Sequence, residues 1–185
     1  MKGMLVMAAY GLKDYYNSAD DIVKTVIDHG IAAASAAALS GCIPGTGGAV
    51  AAAVSIGIIL KMYISLGKLL GIYFGNGVLK ALASAIVADL AGSVTAILTV
   101  SAVISFFPGI GTLGAATITG ITSFCYVYLA GLIYIQMVGK ILKGGKPIEN
   151  LSEEELKAMA KQVANDLNMK DAVEEARKAY KNNKR

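Results

Sequence analysis

Fifty consecutive residues, from Leu90 to Gly139, contain no Asp, Glu, Lys, Arg or His. A second uncharged run extends from Gly30 to Leu60. About 20 apolar residues are enough for a helix to cross the hydrocarbon core of a bilayer, so the longer run has room for two crossings. Lipid offers no hydrogen-bond partners to the backbone, which restricts such runs to helices. The chain is therefore predicted to be all-α, with its uncharged middle covered by lipid or by other protein.

The charge content supports this prediction and excludes one class of partner. Charged residues make up 16% of the 185-residue chain, whereas soluble domains have roughly 25%. The last 46 residues carry 11 Lys or Arg against 8 Asp or Glu, together with a single aromatic residue, Tyr180. Nucleic-acid interfaces need a strongly basic face. This mixed-sign tail does not provide one, so nucleic acid is not expected as a partner.

Two Pro-Gly corners are expected to divide the uncharged runs into two long helical hairpins. Proline cannot sit inside a helix without losing a hydrogen bond, and glycine allows backbone conformations that other residues avoid. The corner residues are Pro44, Gly45 and Gly47 in the first hairpin, and Pro108, Gly109 and Gly111 in the second. The four helices are expected at about Ser18–Gly41, Ala49–Phe74, Val78–Phe107 and Thr112–Leu142.

Composition changes near Lys140, and this change predicts two parts of the chain. Residues 1–145 form the hydrophobic, membrane-associated helical domain, and residues 146–185 form a soluble, amphipathic tail of two short helices. In the tail, Ser152 followed by Glu155 is the pattern of a capping box, in which each residue satisfies a backbone N–H of the other at a helix start.

Two patterns predict contacts within the first part of the chain. Gly67, Gly71 and Gly75 recur every four residues, which is typical of a ridge at a close helix–helix crossing. Asp89 is an acid in an otherwise apolar helix, and a hairpin turning at Asn76 places it near Lys61. An unpaired charge in apolar surroundings is costly. We therefore expect a buried Asp89–Lys61 ion pair that sets the register of the two helices. The alternatives are an ion or proton site at Asp89 and an Asp89 side chain that faces water.

No pattern of catalytic or metal-binding residues is present. Neither corner has the Lys of a phosphate-binding loop, the only histidine is His29, and there is no CxxC or Cys/His cluster. We expect no enzyme, no catalytic residue, no cofactor and no metal.

Three sequence signals together resemble one type of domain. These are the Ile-Pro-Gly corner, the segment GIYFG at residues 71–75 and the segment FFPGIGTLGAATITGITSFCYVYLAGLIY at residues 106–134. Over residues 18–145 the chain resembles the hydrophobic helical C-terminal domain of bacterial Era-like GTPases, a domain of unknown function, and of immunity-related GTPases. It departs from them in having no acid after the first corner, no phosphate-binding loop and no NKxD motif. The resemblance implies membrane association and a GTPase acting in trans as a partner.

These observations lead to one expected function and two alternatives. The expected function is a non-catalytic, membrane-associated helical protein that acts as an anchor, a remodelling module or a partner of a GTPase. The alternatives are a pore- or channel-forming protein that inserts into membranes, and a soluble helical domain that forms an oligomer or binds lipid. The expected partners are a lipid membrane and further copies of the chain. The expected location is a membrane, the inner membrane if the source is bacterial. Lys140, Lys143 and Lys146 place the tail on the cytoplasmic side by the positive-inside rule.

Overall fold

The computed structural model describes residues 3–16, 18–40, 47–103, 112–145, 147 and 151–183. These residues form seven α-helices and no strand, which confirms the all-α prediction. The helices are α1 (Met4–Tyr10), α2 (Ala19–Ser40), α3 (Gly47–Leu70), α4 (Asn76–Val103), α5 (Thr112–Gly144), α6 (Glu153–Asp166) and α7 (Met169–Asn183).

Helix α5 is the centre of the fold, and α2 packs along it most closely. Three glycines permit this approach, because a Cβ atom at each would collide with the facing helix. A Cβ on Gly30 would lie 2.8 Å from the Phe124 ring, and one on Gly131 would lie 2.8 Å from the Val26 methyl groups. A Cβ on Gly120 would lie 3.1 Å from the carbonyl oxygen of Ala34. Residues later in α2 contact residues earlier in α5, so the two helices run antiparallel.

Helix α3 packs on α5 through two stacked tyrosines. The rings of Tyr63 and Tyr134 have centroids 4.4 Å apart and planes 17° apart. The hydroxyl of Tyr63 donates a hydrogen bond of 3.2 Å to the carbonyl oxygen of Ala130. Both side chains are fully buried. Stacked aromatic pairs contribute about 0.5–1.5 kcal/mol beyond the area they bury, so this contact fixes α3 against α5.

The end of α3 differs from the expected one. The helix stops at Leu70, and Gly71 takes a left-handed conformation with φ 62°. The Ile72 N–H donates to the carbonyl of Gly67 at 2.9 Å, and the Gly71 N–H donates to that of Lys68 at 3.5 Å. This is the hydrogen-bond pattern of a Schellman motif, in which glycine satisfies the last carbonyls of a helix.

The predicted packing ridge of Gly67, Gly71 and Gly75 is therefore wrong. Gly71 and Gly75 lie beyond the end of α3, and both are exposed. Gly67 is buried, but a Cβ there would lie 2.6 Å from the carbonyl oxygen of Ile72 in the same turn. These glycines shape the connection from α3 to α4, and the glycines at the close crossing are those of α2 and α5.

The two helices of each predicted hairpin are in contact, α2 with α3 and α4 with α5. Of the corner residues, Gly47 is the first residue of α3. The others, Pro44, Gly45, Pro108, Gly109 and Gly111, lie outside the described residues.

The amphipathic tail packs directly on the hydrophobic helices. The Ser152 hydroxyl accepts from the Glu155 N–H at 3.1 Å, and the Glu155 carboxylate accepts from the Ser152 N–H at 2.9 Å, which confirms the capping box. Helix α6 contacts α4 and α5, and α7 contacts α2, α4 and α5. Residues from both parts of the chain thus contribute to one buried apolar cluster.

The expected buried ion pair between Asp89 and Lys61 is also absent from the described structure. Both side chains are exposed, and the ion pairs among the described residues join other partners. The physical reason is the orientation of the hairpin. Helices α3 and α4 turn their larger apolar side chains towards α5 and α6, so the opposite faces, which carry Lys61 and Asp89, point outward.

The close crossing of α2 and α5 predicts that Gly131→Ala destabilises the protein. The new Cβ collides with Val26, whose branched side chain is stiff in a helix. Overpacking of this kind costs about 1–3 kcal/mol, which outweighs the gain in helix propensity from replacing glycine. Gly77→Ala is the matched control, because a Cβ there meets no atom within 4 Å. Urea unfolding of both variants measures the difference, and equal stability of Gly131→Ala and wild type would contradict the tight crossing.

Candidate functional site

Among the described residues, three helices are long and apolar enough to cross a membrane, and they differ greatly in how far the protein covers them. The candidate spans are Ala53–Leu70 in α3, Asn76–Leu98 in α4 and Ile118–Gly144 in α5. The first two are 39% and 41% buried inside the fold, whereas the third is 89% buried. The span in which both charges lie at one end, at Lys140 and Lys143, is thus the one most completely enclosed by protein.

Helix α7 forms part of this enclosure. Its apolar side chains at one face, Ala172, Val173, Ala176 and Tyr180, are buried. The ring of Tyr180 lies against that of Phe124 in α5, with centroids 5.3 Å apart. One turn further along α5, the hydroxyl of Tyr128 donates a hydrogen bond of 2.5 Å to the Glu175 carboxylate. An amphipathic, charged helix therefore lies along the first half of the α5 span.

The Glu175 carboxylate also binds the start of α1. It accepts hydrogen bonds from the Met4 N–H at 2.7 Å and from the Leu5 N–H at 3.1 Å. The N-cap residue of α1 is Gly3, which has no side chain with which to cap the helix. A Cβ at that position would lie 2.5 Å from the carboxylate, so the absence of a side chain makes room for it. One carboxylate thus connects α1, α5 and α7, and we call this arrangement the Glu175 junction.

The position of the Glu175 junction makes a membrane crossing by α5 costly as long as α7 stays bound. The midpoint of Ile118–Gly144 is residue 131, and Tyr128 lies three residues away, about 4.5 Å along the axis. If α5 spanned a bilayer with α7 still bound, Glu175 would lie close to the bilayer centre. A charged side chain there costs at least about 2.5–3.5 kcal/mol. Departure of α7 from α5 would remove this cost.

An open groove of about 680 Å³ gives solvent access to the Glu175 junction. Leu5, Val23 and Ile27 line it with apolar surface. Its rim carries the exposed ion pair of Lys24 with Asp28, whose Nζ and Oδ2 atoms are 2.5 Å apart. The hydrogen bond and the charge of Asp28 raise the pKa of Lys24. Further charges on the lining are Asp20 and Lys178. Water and ions thus reach one side of the contact between α1, α2 and α7.

The described residues contain no candidate metal site. Within residues 3–16, 18–40, 47–103, 112–145, 147 and 151–183, no three His, Cys, Asp or Glu side chains are grouped so that they could hold a metal ion. The Nδ1 atom of His29 hydrogen-bonds the Thr25 carbonyl oxygen of its own helix at 2.8 Å. Cys125 is a buried free thiol.

Comparison with known proteins identifies no relative of this chain. No family model, no curated protein and no solved structure matches the chain. The resemblance to the helical domains of Era-like and immunity-related GTPases thus depends on the corner and helix-end motifs alone.

The residues of the Glu175 junction were not among those singled out in the sequence. The apolar spacing of Ala172, Val173, Ala176 and Tyr180 marks one face of a helix, and Glu175 lies at the edge of that face. This signal indicates that α7 packs on something. It does not identify Tyr128 or α1 as the partner, because Glu175 and Met4 are 171 residues apart in sequence.

Neutralising the carboxylate is expected to loosen both α1 and α7. Glu175→Gln keeps the shape of the side chain but weakens three hydrogen bonds, and hydrogen bonds to charged groups contribute about 1.5–3 kcal/mol each when buried. Because Glu175 is only partly buried, we expect a total loss of about 1–2 kcal/mol. Glu174→Gln, at the exposed neighbouring position, is the control. Hydrogen exchange of the α1 and α7 amides measures the effect, and unchanged protection in Glu175→Gln would show that the junction does not hold these helices.

Proposed function

We propose that the protein is a non-catalytic membrane-inserting protein that acts as a membrane anchor or remodelling module. In water it keeps α5 enclosed by the other helices. At a membrane, α1, α7 and the charged first half of α2, which carries Lys24 and Asp28 beside the middle of the span, leave α5, which then enters the bilayer. The observation that carries this proposal is the 89% burial of a 27-residue apolar helix beneath a charged helix that lies beside the middle of the span.

The charge pattern supports α5 as the helix that inserts. No charged residue occurs in α5 before Lys140, and Lys140 and Lys143 stand at its end, where long cationic side chains reach the lipid headgroups. Each of the other two candidate spans carries one charge near its middle, Lys61 in α3 and Asp89 in α4, in addition to one lysine near its end. Each charge near the bilayer centre adds a cost of a few kcal/mol, so α5 enters lipid at the lowest cost.

The helices that leave α5 are suited to the membrane surface. Helix α7 has an apolar face for the acyl boundary and a charged face for water, as interfacial helices do. The chain has a net charge of +4, and each Lys or Arg near an anionic leaflet contributes about 1 kcal/mol. Anionic membranes should therefore bind the protein more tightly than neutral membranes do.

A single tryptophan reporter tests insertion directly, since the chain contains no Trp. In Phe124→Trp the indole lies against Tyr180 in the closed state and in the acyl region after insertion. We expect vesicles with anionic lipids and brominated acyl chains to quench its fluorescence. Tyr15→Trp, on the exposed segment before α2, should be quenched much less. Absence of quenching at position 124 in a chain that binds the vesicles would contradict the proposal.

Two further arms make this experiment more specific. Glu175→Gln in the reporter background should insert several-fold faster than Glu174→Gln. The reason is that the hydrogen bonds holding α1 and α7 on α5 are then weaker. Release of a dye trapped in the same vesicles distinguishes an anchor from a pore: an anchor leaves the dye inside, whereas release at the rate of insertion would assign pore formation instead.

A further inference from the structure

Helix α1 is uncharged on every side, although one of its faces is exposed. Residues 3–12 contain no Asp, Glu, Lys, Arg or His. Leu5 and Ala9 are buried against the fold, whereas Met7 and Tyr10, on the opposite side of the helix, are 64% and 38% exposed. A helix that is apolar all round is normally buried on all sides. We call the surface of Met7 and Tyr10 the outer face of α1.

Further exposed aromatic residues lie next to the outer face of α1. Tyr15 follows it in the segment that leads to α2, and Tyr73 lies in the turn after α3. The two segments are neighbours, because a Cβ on Gly71 would lie 3.7 Å from the Tyr16 hydroxyl. The large hydrophobic side chains that are exposed in the described part of the chain all belong to these segments and to α1: Met7, Tyr10, Tyr15 and Tyr73. Exposed apolar surface that is concentrated in this way marks a site that binds a membrane or another protein.

The segment between α1 and α2 also lies against the lysine-bearing end of α5. A Cβ on Gly139 would lie 3.5 Å from a methyl carbon of Leu12. Lys140 and Lys143 follow in the last turns of α5, and both are exposed. Lys140 pairs with Asp166 across 3.0 Å. The outer face of α1 thus lies beside the end of α5 that the proposed function places among lipid headgroups.

Charges flank the outer face of α1 without interrupting it. In the sequence, the uncharged run lies between Lys2 and Lys13, and one acid, Asp14, follows. The two acids in the first turn of α2 have other surroundings: Asp20 lines the groove beside the Glu175 junction, and Asp21 binds a serine hydroxyl at the start of α2. A cation therefore stands at each end of the apolar run.

These features suit the boundary between lipid headgroups and acyl chains. Ten uncharged residues extend only about 15 Å as a helix, half the thickness of the hydrocarbon core, so α1 is long enough to lie in the interface but not to cross it. Tyrosine rings concentrate at that level, and lysines at the ends of an apolar run reach the headgroups. Lysine is depleted in protein–protein interfaces, which makes another protein the less favourable occupant.

We propose that the outer face of α1 is the surface through which the closed protein first binds an anionic bilayer. This inference rests on the proposed function in taking a bilayer as the partner, and it adds the site of contact and the order of events. Met7 enters the acyl boundary, Tyr15 and Tyr73 lie at the level of the headgroups, and Lys13 and Lys143 bind lipid phosphates. The Glu175 carboxylate still holds the start of α1 at this stage, and the release of α5 comes later.

A charge on the outer face of α1 tests the proposal without altering the buried core. The measurement is flotation of the full-length chain with vesicles of phosphatidylcholine and phosphatidylglycerol in equal amounts. Met7→Asp should weaken binding about tenfold or more, because a carboxylate is costly in the acyl boundary. Met7→Leu, which keeps the apolar side chain, should bind like wild type. Gln162→Asp, at an exposed position of α6, is the control with the same change in charge and should also bind normally.

The lysine beside α1 gives a second, independent measurement. Lys13→Gln should weaken binding to the same vesicles about fivefold, the equivalent of one cation near an anionic leaflet, and should leave binding to pure phosphatidylcholine unchanged. Lys161→Gln, on the exposed side of α6, is the matched control. Normal vesicle binding by Met7→Asp would overturn the proposal. If Met7→Asp instead dissociated an oligomer in detergent-free buffer and left vesicle binding intact, the outer face would belong to a second copy of the chain.

The order of events separates this proposal from that of insertion. In Met7→Trp the indole emission should shift to shorter wavelength on the vesicles before the fluorescence of Phe124→Trp is quenched. A shift at position 7 that no quenching at position 124 follows would remove the insertion and leave the contact surface. Quenching at position 124 that precedes the shift at position 7 would remove α1 as the first contact and leave the insertion.

Discussion

The enclosure of α5 is the constraint on which the rest of the structure depends. A helix that carries no charge before Lys140 must be covered by something, and the hydrophobic effect makes protein or lipid far better than water. In the closed fold α2 and α3 cover it through glycine-mediated contact and stacked tyrosines, and α7 covers the remaining side. The first two contacts are apolar and extensive, whereas that of α7 also depends on one carboxylate. Extensive apolar contacts thus hold α2 and α3 on α5, whereas the contact of α7 with α5 depends partly on a polar interaction.

Local sequence patterns predicted the elements much better than the contacts between them. The absence of charge predicted long helices, and Ser152 with Glu155 predicted the start of α6, because both signals act over a few residues. The end of α3 was misplaced because Ile72, Tyr73 and Phe74 continue the apolar pattern past Gly71, where only the backbone conformation marks the stop. Helix α1 has seven residues and was not predicted.

The contacts that define the candidate site could not be predicted, for physical reasons that differ. Asp89 and Lys61 were expected inside the fold because each lies in an apolar helix. Which face of such a helix is buried depends on its neighbours, and α3 and α4 bury the opposite faces. The Glu175 junction joins positions far apart in sequence. No local pattern predicts that Glu175 binds the start of α1, whose N-cap residue, Gly3, has no capping side chain. The glycines of α2 and α5 were visible in the sequence, but their opposing partners were not.

The position of α7 in the chain has a consequence for biosynthesis. Helix α5 is complete at Gly144, and α7 only at Asn183, 39 residues later. Protein synthesis proceeds at about 5–20 residues per second, so α7 is completed roughly 2–8 s after α5. During that interval the newly made chain exposes the apolar surface of α5 that α7 later covers. Chaperones, the insertion machinery and the bilayer can all bind such a surface. The order of synthesis therefore lets membranes bind α5 before α7 covers it, whereas in the finished molecule this cover must first open.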